Sequence, residues 1–252
     1  MFFYRLSRGN FIRNFVFYLL VSVFLHHVLP QKAFGSTERE EKENIYHFFE
    51  TLGNLNQIHP LETAASHPDN RYFLGISLEN HLLRELTEEP SESGPPGSLN
   101  ATRIWLIKSL FYPLDFGLGL GEVEKLGLRS MSFFLQATLF EKFRTPALAL
   151  RMGWSRLANK TETQVSTISS HLIGSWGWKQ LSIFSDLALY FHSSQLQIIH
   201  NVDPEQSLYS WREHSASLGL AFQIIPGRLL LSTEIQTSNS SQSSRLKLSL
   251  DL

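Results

Sequence analysis

Within the stretch LALYFHSSQLQ, His192 and Ser194 stand two residues apart. In an extended chain, residues at that spacing point to the same side. An imidazole beside a hydroxyl can take its proton and make a nucleophile of it, provided an acid holds the ring. Asp203 and Glu205 follow soon after and could supply that acid. The plainer role for His192 is a polar residue at the mouth of whatever its strand encloses. A second set of ionisable residues is spread along the chain: Asp115, Arg151, Asp186, Glu234, Lys247 and Asp251. Each lies on the polar side of a segment whose other side is apolar. Opposed charges enclosed together must pair, because buried charge needs a partner. If they do not fill the enclosed space, they would line a narrow polar path. The ten histidines show no metal-ligand spacing, and no glycine-rich phosphate loop links a strand to a helix. Cysteine is absent, which excludes thiolate metal sites and disulfides. No metal or other cofactor is expected.

The segments that carry these residues alternate apolar and polar positions. Tyr72, Leu74, Ile76 and Leu78 alternate, as do Leu114, Phe116, Leu118 and Leu120. The pattern returns in Leu148 to Trp154, Leu181 to Phe191, Ala216 to Ile224, Leu229 to Ile235 and Leu246 to Leu252. Period two means strands with one apolar and one polar face. A soluble sandwich would hide the apolar faces between two sheets. A membrane barrel would turn them to lipid and keep the polar faces inside.

The connections favour the barrel. Short links near Arg144-Thr145, Lys179-Gln180 and Pro226-Gly227 alternate with longer polar ones over Leu82–Asn100, Ala158–Gln164, Ser193–Ser210 and Asn239–Ser243. Short turns at one end and longer loops at the other are the outer-membrane arrangement. The count is about ten strands, within a range of eight to twelve. Such a barrel is closed and antiparallel, running up and down, because a free strand edge in lipid would strand its N–H and C=O groups. Trp105, Trp154, Trp176, Trp178 and Trp211 lie near strand ends, which suits aromatic girdles at the two interfaces. About eight strands are already filled by their own side chains, so ten leave no open general pore.

The first 35 residues have a different character. Arg5, Arg8 and Arg13 precede the apolar run Phe15–Leu25, and Ala33-Phe34-Gly35 places small residues at a cleavage position. This is a secretory signal peptide pattern. Removing its four basic residues from 22 leaves 18 against 23 acidic ones, so neither form of the chain has the basic excess of a nucleic-acid binder. Residues 36–70 form a periplasmic N-terminal helix and linker, the helix running from Ser36 to Leu55. Ile45, Phe48, Phe49, Leu52 and Leu55 recur at helical spacing, Thr37 and Glu40 suit a capping box, and Gly53-Asn54 would end the helix. The favoured role is a tether packed on the main domain, and a plug inside the barrel is the alternative. Residues 71–252 are the barrel.

With its signal peptide and alternating strands, the chain resembles the bacterial outer-membrane β-barrel superfamily. The terminal RLKLSLDL looks like the C-terminal signal read by the barrel-assembly machinery. The resemblance implies residence in the bacterial outer membrane, with its lipids and lipopolysaccharide as surroundings. It implies no single activity. The leading expectation is a structural or surface-interaction barrel, ahead of a narrow channel. His-x-Ser also resembles the catalytic pair of the lipid A 3-O-deacylases, which implies His192 as base and Ser194 as nucleophile of a lipid-modifying enzyme.

Overall fold

Ten segments with period-two patterning pair side by side and close on themselves. The structure, a computed structural model, describes residues 49–58, 63–65, 71–83, 98–124, 126–141, 146–159, 163–178, 180–199, 204–238 and 241–252. The signal-peptide residues and the proposed capping box lie outside them. The strands are β1 (Tyr72–Leu83), β2 (Ser98–Phe111), β3 (Leu114–Val123), β4 (Leu128–Phe140), β5 (Ala147–Ala158), β6 (Thr163–Trp178), β7 (Leu181–Ile199), β8 (Pro204–Ile225), β9 (Leu229–Ser238) and β10 (Ser241–Asp251). Each pairs antiparallel with its sequence neighbour. β1 meets β10 from Phe73↔Asp251 to Leu83↔Ser241, which closes the ring.

The alternation sorts side chains between the two faces. In β10, Ser243, Arg245, Lys247 and Ser249 are buried, while Leu246, Leu248 and Leu250 are exposed. The same holds around the ring. Leu78, Ile104, Leu120, Met131, Leu172, Ile183, Leu187, Leu218 and Ile235 all face outward. An exterior of large aliphatic side chains around a polar interior is the arrangement for lipid outside and polar groups within. Every strand has two hydrogen-bonded neighbours, which meets the backbone requirement of a bilayer core. No helix among the described residues is long and apolar enough to cross a membrane.

The two ends of the barrel differ. At the turn end lie the links β2–β3, β4–β5, β6–β7 and β8–β9, the start of β1, and Leu252, whose N–H donates to the Tyr72 carbonyl. At the loop end lies the longest link, residues 84–97. Two links expected to be long are strand for much of their length. The β7–β8 ladder runs up to Ile199↔Pro204, so the expected loop Ser193–Ser210 shrinks to residues 200–203. The β9–β10 link shrinks to residues 239–240. A strand needs paired backbone and not apolar side chains, so polar composition hid these extensions. The β8–β9 ladder stops at Ser215↔Ser238. The β7–β8 hairpin therefore rises above this side of the rim by residues 204–214, about 35 Å at the rise of an extended chain.

Inside the ring lie residues 49–58 and 63–65. Residues 49–55 form a short helix, α1. Phe49, Leu52, Leu55, Asn56 and Ile58 are almost completely buried. This is the plug, where a packed tether was the favoured reading. The helix ends at Leu55, the bound read from the sequence, one residue past Gly53-Asn54.

Candidate functional site

The lumen and the segment inside it form the site. At the loop end, Phe49, Leu52 and Leu55 pack against Leu99, Val123, Leu128, Leu157, Val165 and Trp211. One level down, Ile58 packs with Trp105, Ile107 and Phe134. At the turn end, Ala64 sits among Ala147, Ala149 and Ile173. The lumen wall is mostly polar, yet it presents apolar side chains at the three levels where the segment does.

Between these levels the wall satisfies the segment's backbone. The last carbonyls of a helix lack partners within it. Arg103 supplies one at the end of α1 and another just past it: Nη2 donates to the Leu55 carbonyl, and Nη1 donates to the Gln57 carbonyl at 2.6 Å. A cation at this end also faces the negative pole of the helix. Arg103 Nε lies 3.5 Å from Glu79 Oε1. Glu79 faces Arg245 at 3.7 Å and His81 at 3.4 Å, and Arg245 lies 3.8 Å from Glu234. Ser77 donates to Glu79, and Trp105 Nε1 donates to Ser77 Oγ. Asn56 Nδ2 lies within bonding distance of the Val165 carbonyl and Thr167 Oγ1, and Ser155 donates to the Asn56 carbonyl at 2.5 Å. Further down, Gln136 and Thr138 donate to the Thr63 and Ala64 carbonyls, and Ala64 N–H donates to Ser175.

Of the ionisable residues read from sequence, Asp115, Arg151, Asp186, Glu234 and Lys247 are buried on the inner face. Asp251 is half-buried at the turn end and pairs with Arg71 at 2.5 Å. Their partners are varied. Asp186 meets His171 at 2.7 Å, Glu234 meets Arg245, and Arg151 donates twice to Gln136 Oε1. Sequence reading missed Glu79, His81, Arg103 and Arg245. Arg245 shares the parity of Lys247, Glu79 and His81 oppose the apolar series Tyr72 to Leu78, and Arg103 lies in a strand that the alternation did not mark.

The tryptophans divide. Trp176 and Trp178 face outward at the turn end, 60% and 71% exposed, beside Tyr72, Phe111 and Tyr112 on the same rim. An aromatic girdle would stand at such a rim. Trp154 also faces outward, its ring 5.3 Å from Phe133. Trp105 and Trp211 do not belong to a girdle. Both are buried inside, Trp105 bonded to Ser77 and Trp211 stacked on His192 at 4.8 Å. The space beside the thin segment takes a large ring, and strand parity turns both residues inward.

His192 and Ser194 share the inner face without forming a pair. His192 Nδ1 is 2.9 Å from Thr167 Oγ1, and Nε2 is 3.5 Å from Glu213. The Ser194 hydroxyl donates to the Tyr209 carbonyl at 3.4 Å. The acid at the ring is thus Glu213, and the hydroxyl is that of Thr167, which Asn56 also touches. The side chains of Asp203 and Glu205 lie outside the described residues. The imidazole is stacked between Tyr190 and Trp211. In this arrangement it braces the plug. Among the described residues no group of His, Asp and Glu is placed to hold a metal ion.

Close approach here requires glycine. A Cβ on Gly53 would lie 2.5 Å from Trp211 Cζ2 and 3.1 Å from His192 Nδ1, and one on Gly153 would lie 2.5 Å from Ile58 Cδ1. Gly53→Val should therefore destabilise the barrel by about 1–3 kcal/mol, the usual cost of overpacking. A urea titration in detergent or lipid reads that loss, and an unchanged midpoint would mean that α1 does not seat against Trp211.

The closed ring, the apolar exterior and the polar occupied lumen define a transmembrane β-barrel of the outer-membrane type with an internal segment. No family model and no curated protein matches the chain. Among solved structures, it is similar to the translocator domain of the autotransporter NalP from Neisseria meningitidis, at 8% identity and a TM-score of 0.42, covering 83% of this chain and 97% of that one. It is also similar to Ail, the attachment invasion locus protein of Yersinia pestis, at 7% identity and a TM-score of 0.38, covering 73% and 98%. The KdgM porin follows at 8% identity and a TM-score of 0.36, covering 70% and 98%. The class rests on this chain's own ring and exterior.

Proposed function

We propose that the protein is a bacterial outer-membrane barrel of structural or surface-interaction type, with its lumen held shut. The observation that carries this reading is the occupied lumen. Residues 49–58 and 63–65 meet the wall at three levels, and buried Arg103, Glu79, Arg245 and Glu234 fill space beside them. A segment tied at so many points supports a closed lumen over the described residues. The β7–β8 hairpin above the rim supplies a surface for contact beyond the membrane. Outer-membrane lipid and lipopolysaccharide would meet the apolar exterior, and the barrel-assembly machinery would insert the chain. The narrow-channel reading keeps one observation in its favour, the polar wall itself.

Planar bilayers distinguish the two. The full chain is expected to insert without steady conductance, and deletion of residues 49–65 to give steps of current. Steady conductance from the intact chain would overturn the closed-barrel reading, whether or not the deleted variant folds.

A further inference from the structure

At the turn end the barrel holds a cavity of about 300 Å³. Thr63 and Ala65 of the internal segment form one side of it. Strands β1, β7, β8, β9 and β10 form the rest, with Gly227 and Arg228 of the β8–β9 turn at its rim. That volume is at the lower end for ligand pockets and suits a molecule the size of one residue.

The wall divides by chemistry. Phe73, Ala221, Leu229 and Leu230 make an apolar side, with Leu230 packed against buried Phe184 and Ala221. Ser249 and Asp251 make a polar side. Ser249 is 4% exposed, and the Asp251 side chain is 10% exposed. Asp251 Oδ2 accepts from Arg71, but Oδ1 has no hydrogen-bond partner among the described residues, and neither has Ser249 Oγ. A buried acceptor without a donor is costly, so these two atoms mark where a ligand's N–H groups gain most. Both are held in place by backbone. Asp251 pairs with Phe73 across the β1–β10 ladder, and its N–H donates to the Arg228 carbonyl at 2.8 Å. Ser249 pairs with Gly75, where a Cβ would lie 3.1 Å from Ser249 Oγ, so glycine leaves room at the hydroxyl.

The charges of the wall narrow the ligand. They are Arg71, Arg228 and Asp251. A simple cation at Oδ1 would meet Arg71 beside the carboxylate and Arg228 at the rim. A simple anion would leave Oδ1 without a donor. A molecule carrying both an ammonium and a carboxylate answers both needs, since a guanidinium fork matches a carboxylate. We propose that this cavity binds a zwitterionic α-amino acid with an apolar side chain, its ammonium donating to Asp251 Oδ1 and Ser249 Oγ and its carboxylate accepting from Arg228. The ligand's side chain lies against Leu229 and Leu230. The further function is solute binding at the turn end. It needs the closed ring and the seated segment, but not a lumen shut to ions.

Calorimetry on the full chain in detergent tests it with three probes. They are L-leucine, N-acetyl-L-leucine, which lacks the ammonium, and L-leucinamide, which lacks the carboxylate. Heat-modifiable migration on gels verifies that each variant is folded. L-leucine is expected to bind saturably, and each analogue about tenfold more weakly or worse, the size of one lost charge-assisted hydrogen bond. Asp251→Asn should weaken L-leucine by a similar factor and leave N-acetyl-L-leucine unchanged. Arg228→Gln should weaken L-leucine and leave L-leucinamide unchanged. A merely structural role for either residue would shift all three probes alike. The chain has no cysteine, so Ser182→Cys on the cavity wall reports occupancy without background. L-leucine should slow its reaction with a small maleimide. No saturable binding of L-leucine, equal binding of the three probes, or binding that leaves Ser182→Cys unprotected would each overturn the site.

Discussion

Replacing Arg103 with leucine should cost about 3–5 kcal/mol of barrel stability, the range for removing one partner of a buried ion pair. The side chain is 2% exposed, so water cannot take over its role. Two losses combine. Glu79 keeps Arg245 and His81, but at 3.7 and 3.4 Å, and neither donates as closely as Arg103 does to the segment. The carbonyls of Leu55 and Gln57 lose their donor, and an unsatisfied buried group costs about 1–3 kcal/mol. Leucine also removes the cation from the C-terminal end of α1. Arg103→Lys should recover only part of the loss, because one ammonium cannot reach both carbonyls and Glu79 in the planar fork that guanidinium provides. The double variant Arg103→Leu with Glu79→Gln should lose less than Arg103→Leu alone, since the remaining buried charge is gone. Folding titrations into lipid measure all three. A loss for Arg103→Leu within the ±0.5 kcal/mol usual for an uninvolved surface site would mean that the cap does not hold the segment.

The ring was legible in the sequence because lipid imposes a strict rule. Leu248 must be out and Lys247 in, and only period two achieves both along one strand. The pairing of β1 with β10 follows from closure, which the bilayer demands of any sheet. The plug was less legible. Phe49, Leu52 and Leu55 give the same helical stripe whether they dock outside the barrel or within it, since both places bury one face. What separates the cases is the inner wall. Leu99, Leu157 and Val165 are apolar at inward positions of otherwise polar faces, a local break in the alternation at the height where the helix sits. Trp105 and Trp211 carry the same signal, for their parity turns them inward even though their place along the strand suits a girdle. The link 193–210 was misread for a different reason. Outside the membrane no rule fixes the side-chain pattern of a paired strand, so a polar hairpin and a polar loop have the same composition. His192 and Ser194 show the limit of spacing: two residues apart they do share a face, but the lateral neighbours Thr167 and Glu213, which come from β6 and β8, decide what the imidazole touches.

Leu220→Arg should cost about 2–4 kcal/mol in a bilayer, the depth-dependent cost of a basic residue on the lipid face near the midplane. Leu220 is 44% exposed on the outer face of β8, between Ile183 of β7 and Thr233 of β9. Ile225, where the turn end begins, lies five positions further along the strand. With an apolar band roughly 25 Å tall and strands tilted about 40°, that puts it close to the middle of the band. An arginine there has no water within reach unless the lipid deforms. His214 provides the contrast. It faces outward on the same strand, six residues towards the loop end and level with Leu189. His214→Arg should cost about 0–1 kcal/mol, as basic residues do near the interface. The ratio of the two losses in lipid vesicles therefore measures depth, independent of any general effect of arginine on folding. In short-chain micelles, where water lies closer, the gap between the variants should narrow. Equal losses in vesicles would remove the assigned membrane band.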